Sequence, residues 1–327
     1  MTTARAIHAL PVPTPFAVGR VNCYLIEDDP LTLVDAGPNS GTSLTVLEAA
    51  LAEHGRRVED LERIVLTHQH IDHIGLAQIL ADRSGAEVAA LASLGPWLAR
   101  FGKEMDDDDQ FSESVMLRHG IPRDIAIALR AVTAQFRAWG SSVRVTRPLA
   151  EGDLLEFADR SWRVHHRPGH SPSDTVFLEE ATGVLIGGDH LIKHISSNPL
   201  ISRPLEGGRP EDRPKALITY MRSMSATRKM DLSIVYSGHG DPVEDHRTLI
   251  DERFDGHERR VRKIAGILAE GPKSGFEIAQ QMWGNVAVTQ AYLTLSEVLG
   301  HVDLLLERGE VVEVEDEGGV VRFAPVS

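Results

Sequence analysis

Ile64-Val65-Leu66-Thr67-His68-Gln69-His70-Ile71-Asp72-His73-Ile74-Gly75 is the stretch on which the reading of this chain turns. Its first residues are apolar or β-branched and read as a buried strand. The polar segment 68–73 sits at the carboxyl end of that strand, and the apolar residues Ile74, Leu76, Ala77, Ile79 and Leu80 then open a helix. A strand feeding a helix puts the intervening turn at the rim of an α/β sheet, where ligands bind. His68, His70, His73 and Asp72 are the donors that a borderline-soft divalent metal prefers. Neutral imidazoles offer lone pairs and an ionised Asp72 only accepts, so the cluster is strained unless a cation occupies it. A His-rich surface turn is the competing reading. Residues further along the chain decide between the two.

Upstream, Val21–Ile26 and Leu31–Val34 read as two strands joined by the acidic turn Asp28-Asp29-Pro30, a hairpin. The second strand runs into Asp35-Ala36-Gly37, where Asp35 is either a turn former or an acceptor that orients a ligand histidine. Leu44, Leu47, Ala50 and Leu51 give residues 42–54 a helical period, and 86–90 reads as the next strand. Strand–helix alternation of this kind favours a layered α/β architecture.

Residues 94–140 break the rhythm and read as a helical insertion. A first helical stretch is interrupted by Asp106–Asp109, an acid run that reads as a solvated loop. A second helix covers about 122–139 and stops at Gly140. Placed over an active site, the insertion would supply Trp97 and Phe101 as apolar pocket walls.

Downstream, short strands return, and chemistry-bearing residues stand at their ends. His170 lies in the tight loop Arg167-Pro168-Gly169-His170-Ser171-Pro172-Ser173-Asp174, Asp189 follows Gly187-Gly188, and His239 sits in Ser237-Gly238-His239-Gly240 after the strand Ile234–Tyr236. Small residues beside these groups let backbone and metal approach closely. In the loop after Asp189, Lys193 and His194 read either as solvated loop residues or as contacts to an anionic substrate.

Composition bounds the rest. The 327 residues exceed a typical single domain, and 42% hydrophobic with 25% charged residues is ordinary for a globular protein. A net charge of -14 argues against general affinity for nucleic acid or anionic membrane. One cysteine, Cys23, excludes an internal disulfide framework and reads as a small buried hydrophobe. The amino terminus has no signal-like apolar run, and no segment approaches membrane-spanning length, so a cytoplasmic location is expected.

With Asp35, the THxHxDH signature at 67–73, the PGHS loop at 168–171, GGD at 187–189 and SGHG at 237–240, the chain resembles the metallo-β-lactamase-fold hydrolase superfamily, over about residues 7–245. The resemblance implies an αββα sandwich with metals at one edge. It implies one metal held by His68, His70 and His170, a second by Asp72, His73 and His239, and Asp189 bridging both. Asp72 would also orient the attacking water or accept its proton, and Asp35 would stand behind the ligands. Two divalent ions are implied, zinc first, with iron or manganese as alternatives. A bridging hydroxide at such a pair attacks a carbonyl carbon or phosphorus while one ion polarises the substrate oxygen.

The carboxyl-terminal part, from about 246 to 327, becomes helical. A long amphipathic helix over 253–268 stops at Gly271-Pro272, and a short helix over 274–283 follows with Ser274 as cap and Glu277 three residues on. A helix over 289–308 and a hairpin pairing 311–314 with 321–323 complete a winged-helix-like arrangement. Similar appendages occur in glyoxalase II-like and lactamase-β-2-like branches. The helix over 289–308 has no Lys or Arg before Arg308, so this part reads as a packing or homodimerisation module rather than a nucleic-acid reader.

The expectation is therefore an α/β protein: a catalytic domain over 1–245 with its insertion, and a small winged-helix-like domain over 246–327. Its expected activity is binuclear hydrolysis of a small ester-like substrate, a thioester or lactone. An RNA or phosphodiester nuclease and a low-turnover metal-bearing binding protein are the alternatives.

Overall fold

The computed structural model describes residues 6–197 and 199–326, which form two compact units. Among the described residues, the first comprises 6–105, 136–197 and 230–246, and the second 106–135, 199–229 and 247–326.

The first unit is built on two sheets. One has the order β1 (Ile7–Val12), β2 (Val21–Ile26), β3 (Thr32–Val34), β4 (Arg63–Val65), β5 (Glu87–Leu91) and β6 (Arg147–Leu149). β1, β2 and β3 pair antiparallel, with Tyr24 opposite Val34, which is the expected hairpin. β3 to β6 run parallel. The crossover between β3 and β4 is the helix α1 (Gly41–Glu53), capped by Ser40, whose side chain accepts from the Ser43 amide. The other sheet joins β7 (Leu154–Glu156), β8 (Ser161–His166), β9 (Thr175–Glu179), β10 (Val184–Gly188) and β11 (Ile234–Ser237) in the order β11-β10-β9-β8-β7. Only β10 and β11 pair parallel there.

The inner faces of the two sheets make one core. Tyr24, Ile26, Val34, Val65, Ala89 and Leu149 come from the first, and Leu155, Trp162, Val164, Phe177 and Ile186 from the second. Facing sheets that interdigitate in this way form a sandwich. Burial of each large side chain contributes about 1.5–3 kcal/mol. Cys23 is fully buried on β2, as its apolar setting requires.

After β4 come two short helices, α2 (Ile71–Ile74) and α3 (Ala77–Ser84), and after β5 come α4 (Gly95–Ala99), α5 (Phe101–Arg118) and α6 (Arg123–Phe136). The acid run proves to be helix, a correction to the loop expected there: α5 is continuous through Asp106–Asp109. Partners distant in sequence take up its charge. Arg203 Nε lies 2.7 Å from Asp108 Oδ1, and Thr133 Oγ1 donates to Asp109 Oδ1 at 3.0 Å.

The second unit also contains α7 (Ala216–Arg228), α8 (His246–Leu268), α9 (Gly275–Trp283), α10 (Val286–Thr289) and α11 (Ala291–Glu307). A three-stranded antiparallel sheet joins β12 (Lys273–Ser274), β14 (Val321–Pro325) and β13 (Val311–Glu315) in that order. The expected capping box is present: the Glu277 amide donates to Ser274 Oγ at 3.2 Å, and the Ser274 amide to Glu277 Oε2 at 2.7 Å. α7 approaches α11 closely enough that a Cβ on Gly300 would lie 2.8 Å from Leu217 Cβ. Beside them Arg213 and Asp303 form a buried two-pronged ion pair, both contacts 2.7 Å. No described helix is long and apolar enough to cross a membrane.

Candidate metal centre

β3, β4, β10 and β11 all deliver polar residues at one edge of the sandwich. Val65 ends β4, and Thr67, His68, Gln69 and His70 form the loop into α2, whose single turn carries Asp72 and His73. His170 comes from the loop between β8 and β9, Asp189 directly follows β10, and His239 follows β11.

These residues converge in two groups. His68, His70, His170 and Asp189 each bring one donor atom within 4.8 Å of the others, and Asp72, His73 and His239 do the same. His70 Nδ1 and His170 Nε2 face each other at 3.0 Å. Asp189 reaches both groups: Oδ2 is 3.6 Å from His170 Nε2 and 3.4 Å from His239 Nε2, and Oδ1 is 3.4 Å from His73 Nε2. His239 Nε2 also lies 3.4 Å from Asp72 Oδ2.

The inward nitrogens are selected by what the outward ones do. His73 Nδ1 donates to Asp35 Oδ2 at 2.7 Å, and His239 Nδ1 to the Arg20 carbonyl at 2.8 Å. His68 Nδ1 meets Thr67 Oγ1 at 2.9 Å, and that hydroxyl donates to Asp35 Oδ2 at 2.8 Å. The Thr67 amide donates to Asp35 Oδ1 at 2.9 Å. Asp35 thus acts as the acceptor behind two histidines, and it does so at φ +58°. His68 Nε2, His73 Nε2 and Asp189 Oδ1 are left buried with no hydrogen-bond partner. Buried imidazole nitrogens and a carboxylate oxygen that converge without hydrogen bonds are what a cation, displacing any ring proton, would satisfy. The donor set, imidazole and carboxylate with no thiolate, suits zinc and its first-row neighbours.

The electrostatics follow from burial and these contacts. Burial pushes His68 well below the ordinary imidazole range and His70 down to about 3. Burial also opposes charge on His73, yet the carboxylates of Asp189, Asp35 and Asp72 outweigh it and hold that imidazole well above its ordinary value. His239 is likewise raised to about 9, its pairing with Asp189 and Asp72 overcoming desolvation. The carboxyls of Asp72 and Asp189 are held low by His73 and His239 in spite of burial. Both are ionised at neutral pH.

Glycine lets the ends of β10 and β11 crowd the centre. A Cβ on Gly238 would overlap Asp189 Oδ1 and lie 2.8 Å from His73 Cε1, and one on Gly188 would lie 2.8 Å from Thr67 Oγ1.

Other residues singled out in the sequence fall around this centre. Lys193 and His194 are exposed in the loop after Asp189, and the His194 ring lies over Gly240, next to His239. Trp97 and Phe101 are buried with rings edge to face at 5.7 Å, and Phe101 packs over Gly140, which also adjoins Ile71. His165 and His166 stay outside both groups: His165 Nδ1 contacts Glu151 at 3.0 Å and His166 Nε2 the Pro172 carbonyl at 2.9 Å.

The scaffold of the His170 loop was not assigned from the sequence. Asp174 Oδ1 accepts from Ser171 Oγ at 2.7 Å and Oδ2 from the Ser171 amide at 2.8 Å, while Ser173 Oγ bonds Gln69. Ser173 and Asp174 stand in the same loop as His170, and that proximity was the available signal for their bracing role. Asn22 and Tyr24 were missed too. Both donate to the Ser237 carbonyl, at 3.0 and 2.6 Å, and fix the strand end before His239.

The model of the metallo-beta-lactamase superfamily matches residues 17–239. A probable metallo-hydrolase, YqjP, of Bacillus subtilis (strain 168) is 35% identical over 323 residues, covering 99% of this chain and 98% of the relative. Among solved structures, a metallo-beta-lactamase family protein from Thermus thermophilus superposes with a TM-score of 0.79 at 27% identity, covering 98% of each chain. A beta-lactamase domain protein from Burkholderia ambifaria gives 0.78 at 29% identity, covering 97% of this chain and 92% of that one.

Proposed function

The chain belongs to the metallo-beta-lactamase superfamily and is a metal-dependent hydrolase, and from that premise we propose that it cleaves a small ester-like substrate, a thioester or a lactone. In this reading two zinc ions are held, one by His68, His70 and His170 and one by Asp72, His73 and His239. The observation that carries it is the position of Asp189, whose carboxylate lies 3.6 Å from His170 and 3.4 Å from His239, reaching both groups at once. When bound, such a pair of ions supplies an activated water near neutral pH and polarises the scissile carbonyl.

The chain's own residues do the rest. Asp72, ionised and with Oδ2 3.4 Å from His239 Nε2, serves as the proton acceptor. Asp35 and Thr67 hold the imidazoles in one tautomer. Lys193 and His194, exposed beside Asp189 and Gly240, contact the substrate's polar end. Trp97 and Phe101 shape the pocket from behind, Phe101 through Gly140 and the Ile71 turn.

A nuclease is disfavoured by charge. The net charge is -14, and α11 carries Glu297, Asp303 and Glu307 with no Lys or Arg.

The test is hydrolysis by zinc-loaded protein across thioesters, lactones, β-lactams, phosphodiesters and single-stranded RNA, beside His68→Ala. Turnover of a thioester or lactone that disappears in the variant is expected. Selective cleavage of RNA or phosphodiesters contradicts the substrate class, and no turnover of any substrate contradicts the hydrolytic reading itself.

A further inference from the structure

A third set of donor atoms converges in the second unit. His257 on α8 and Glu297 and His301 on α11 each bring one ligand atom within 4.8 Å of the others. Glu297 and His301 are four residues apart and share a helix face. His257 and His301 are 1% and 0% exposed. Nothing in the hydrolytic reading uses these residues.

Their arrangement repeats that of the centre in the first unit. His301 Nδ1 donates to the Glu297 carbonyl at 2.6 Å, which fixes its tautomer and leaves Nε2 as the bare nitrogen. That Nε2 faces His257 Nδ1 at 3.0 Å, the same separation as between His70 Nδ1 and His170 Nε2. One buried atom at this place, His257 Nε2, has no hydrogen-bond partner, and Glu297 Oε1 has none beyond an ion-pair contact. The Arg260 guanidinium is an ion-pair neighbour of Glu297, with Nε 3.1 Å from Oε1. Burial lowers the pKa of His301 and pushes that of His257 to about 3, so both imidazoles keep a lone pair at neutral pH.

We propose that His257, Glu297 and His301 bind a single divalent transition-metal ion that ties α8 to α11. Two imidazoles and one carboxylate suit zinc, cobalt or nickel better than magnesium or calcium, which prefer all-oxygen sets. Three protein ligands leave a fourth position for water. Because the ligands come from two helices about 40 residues apart in sequence, ion binding is coupled to folding of this unit. Arg260 competes with the ion for Glu297.

The experiment uses the full chain, stripped with a chelator and titrated with zinc, with metal per chain counted after gel filtration. Three ions per wild-type chain are expected. Glu297→Gln and His301→Asn, with folding checked by circular dichroism, should each lose one ion or bind it at least tenfold more weakly. A chain carrying His68→Ala, His70→Ala, His73→Ala, Asp189→Ala and His239→Ala, which disables both groups of the first unit and whose folding is checked in the same way, should still bind one ion, and should lose it when Glu297→Gln is added. This arm needs no catalysis, so it fails or succeeds independently of the proposed hydrolysis. Wild-type stoichiometry and affinity in both Glu297→Gln and His301→Asn would overturn the proposal, leaving a His–His hydrogen bond beside an Arg–Glu pair.

Discussion

Asp35 Oδ2 accepts a hydrogen bond from His73 Nδ1 at 2.7 Å, and the same oxygen accepts from Thr67 Oγ1 at 2.8 Å. One carboxylate behind the metal centre therefore orients His73 directly and His68 through a hydroxyl. Asp35→Asn keeps a residue that tolerates the left-handed backbone at φ +58° and removes only the charge. Zinc affinity should fall about 10–100-fold with the fold intact. Isothermal titration checks this, and unchanged affinity would show that Asp35 serves only the turn.

Gly238 admits no side chain, because a Cβ there would overlap Asp189 Oδ1 and crowd His73. Gly238→Ala should displace Asp189 and cost roughly 10²-fold or more in kcat/KM, the penalty of an ångström-scale misplacement. Steady-state kinetics with parallel metal counts measures it. A fully active alanine variant would mean that the strand ends are held less tightly than the structure implies.

His239 gives the pH dependence of the metal-stripped protein. Its folded-state pKa is raised from 6.5 to about 9 by pairing with Asp189 and Asp72 against the opposing effect of burial. Its protonated form therefore adds stability that is complete below about 6.5 and lost as pH rises through about 9. A bound ion must displace that proton, so zinc binding at pH 7 should release protons and tighten as pH rises over the same window. Calorimetry in buffers of different ionisation enthalpy reads the release; a buffer-independent heat would refute it.

Arg213 and Asp303 are 8% and 2% exposed at the side chain and meet through two 2.7 Å contacts. Asp303→Ala leaves a buried guanidinium without its partner and should destabilise the chain by about 3–5 kcal/mol. Urea unfolding followed by circular dichroism gives the value.

How much of this was legible in the sequence depends on how local each signal is. The His68–His73 stretch announced itself because strand, turn and helix are adjacent, so periodicity and donor spacing fall in one window. The glycines flanking Asp189 and His239 were legible for the same reason. The capping box at Ser274 and Glu277 is wholly local, and the structure has it as expected. Asp106–Asp109 misled because the groups that offset its charge, Arg203 and Thr133, are remote in sequence. The extension of α8 back to His246 and the break between α10 and α11 at Gln290 were likewise not visible in the local pattern. Asp35 could be narrowed only to turn former or orienting acceptor, since its partners arrive from β4 and α2.

The most direct measurement is a zinc titration of the chelator-stripped Glu297→Gln chain, following hydrolysis of a thioester or lactone substrate and bound metal together. Negligible turnover is expected in the stripped chain, rising with zinc and reaching its plateau as two ions per chain are bound, with no such rise in Asp72→Asn. Full turnover without metal, or full turnover in Asp72→Asn, would contradict this expectation.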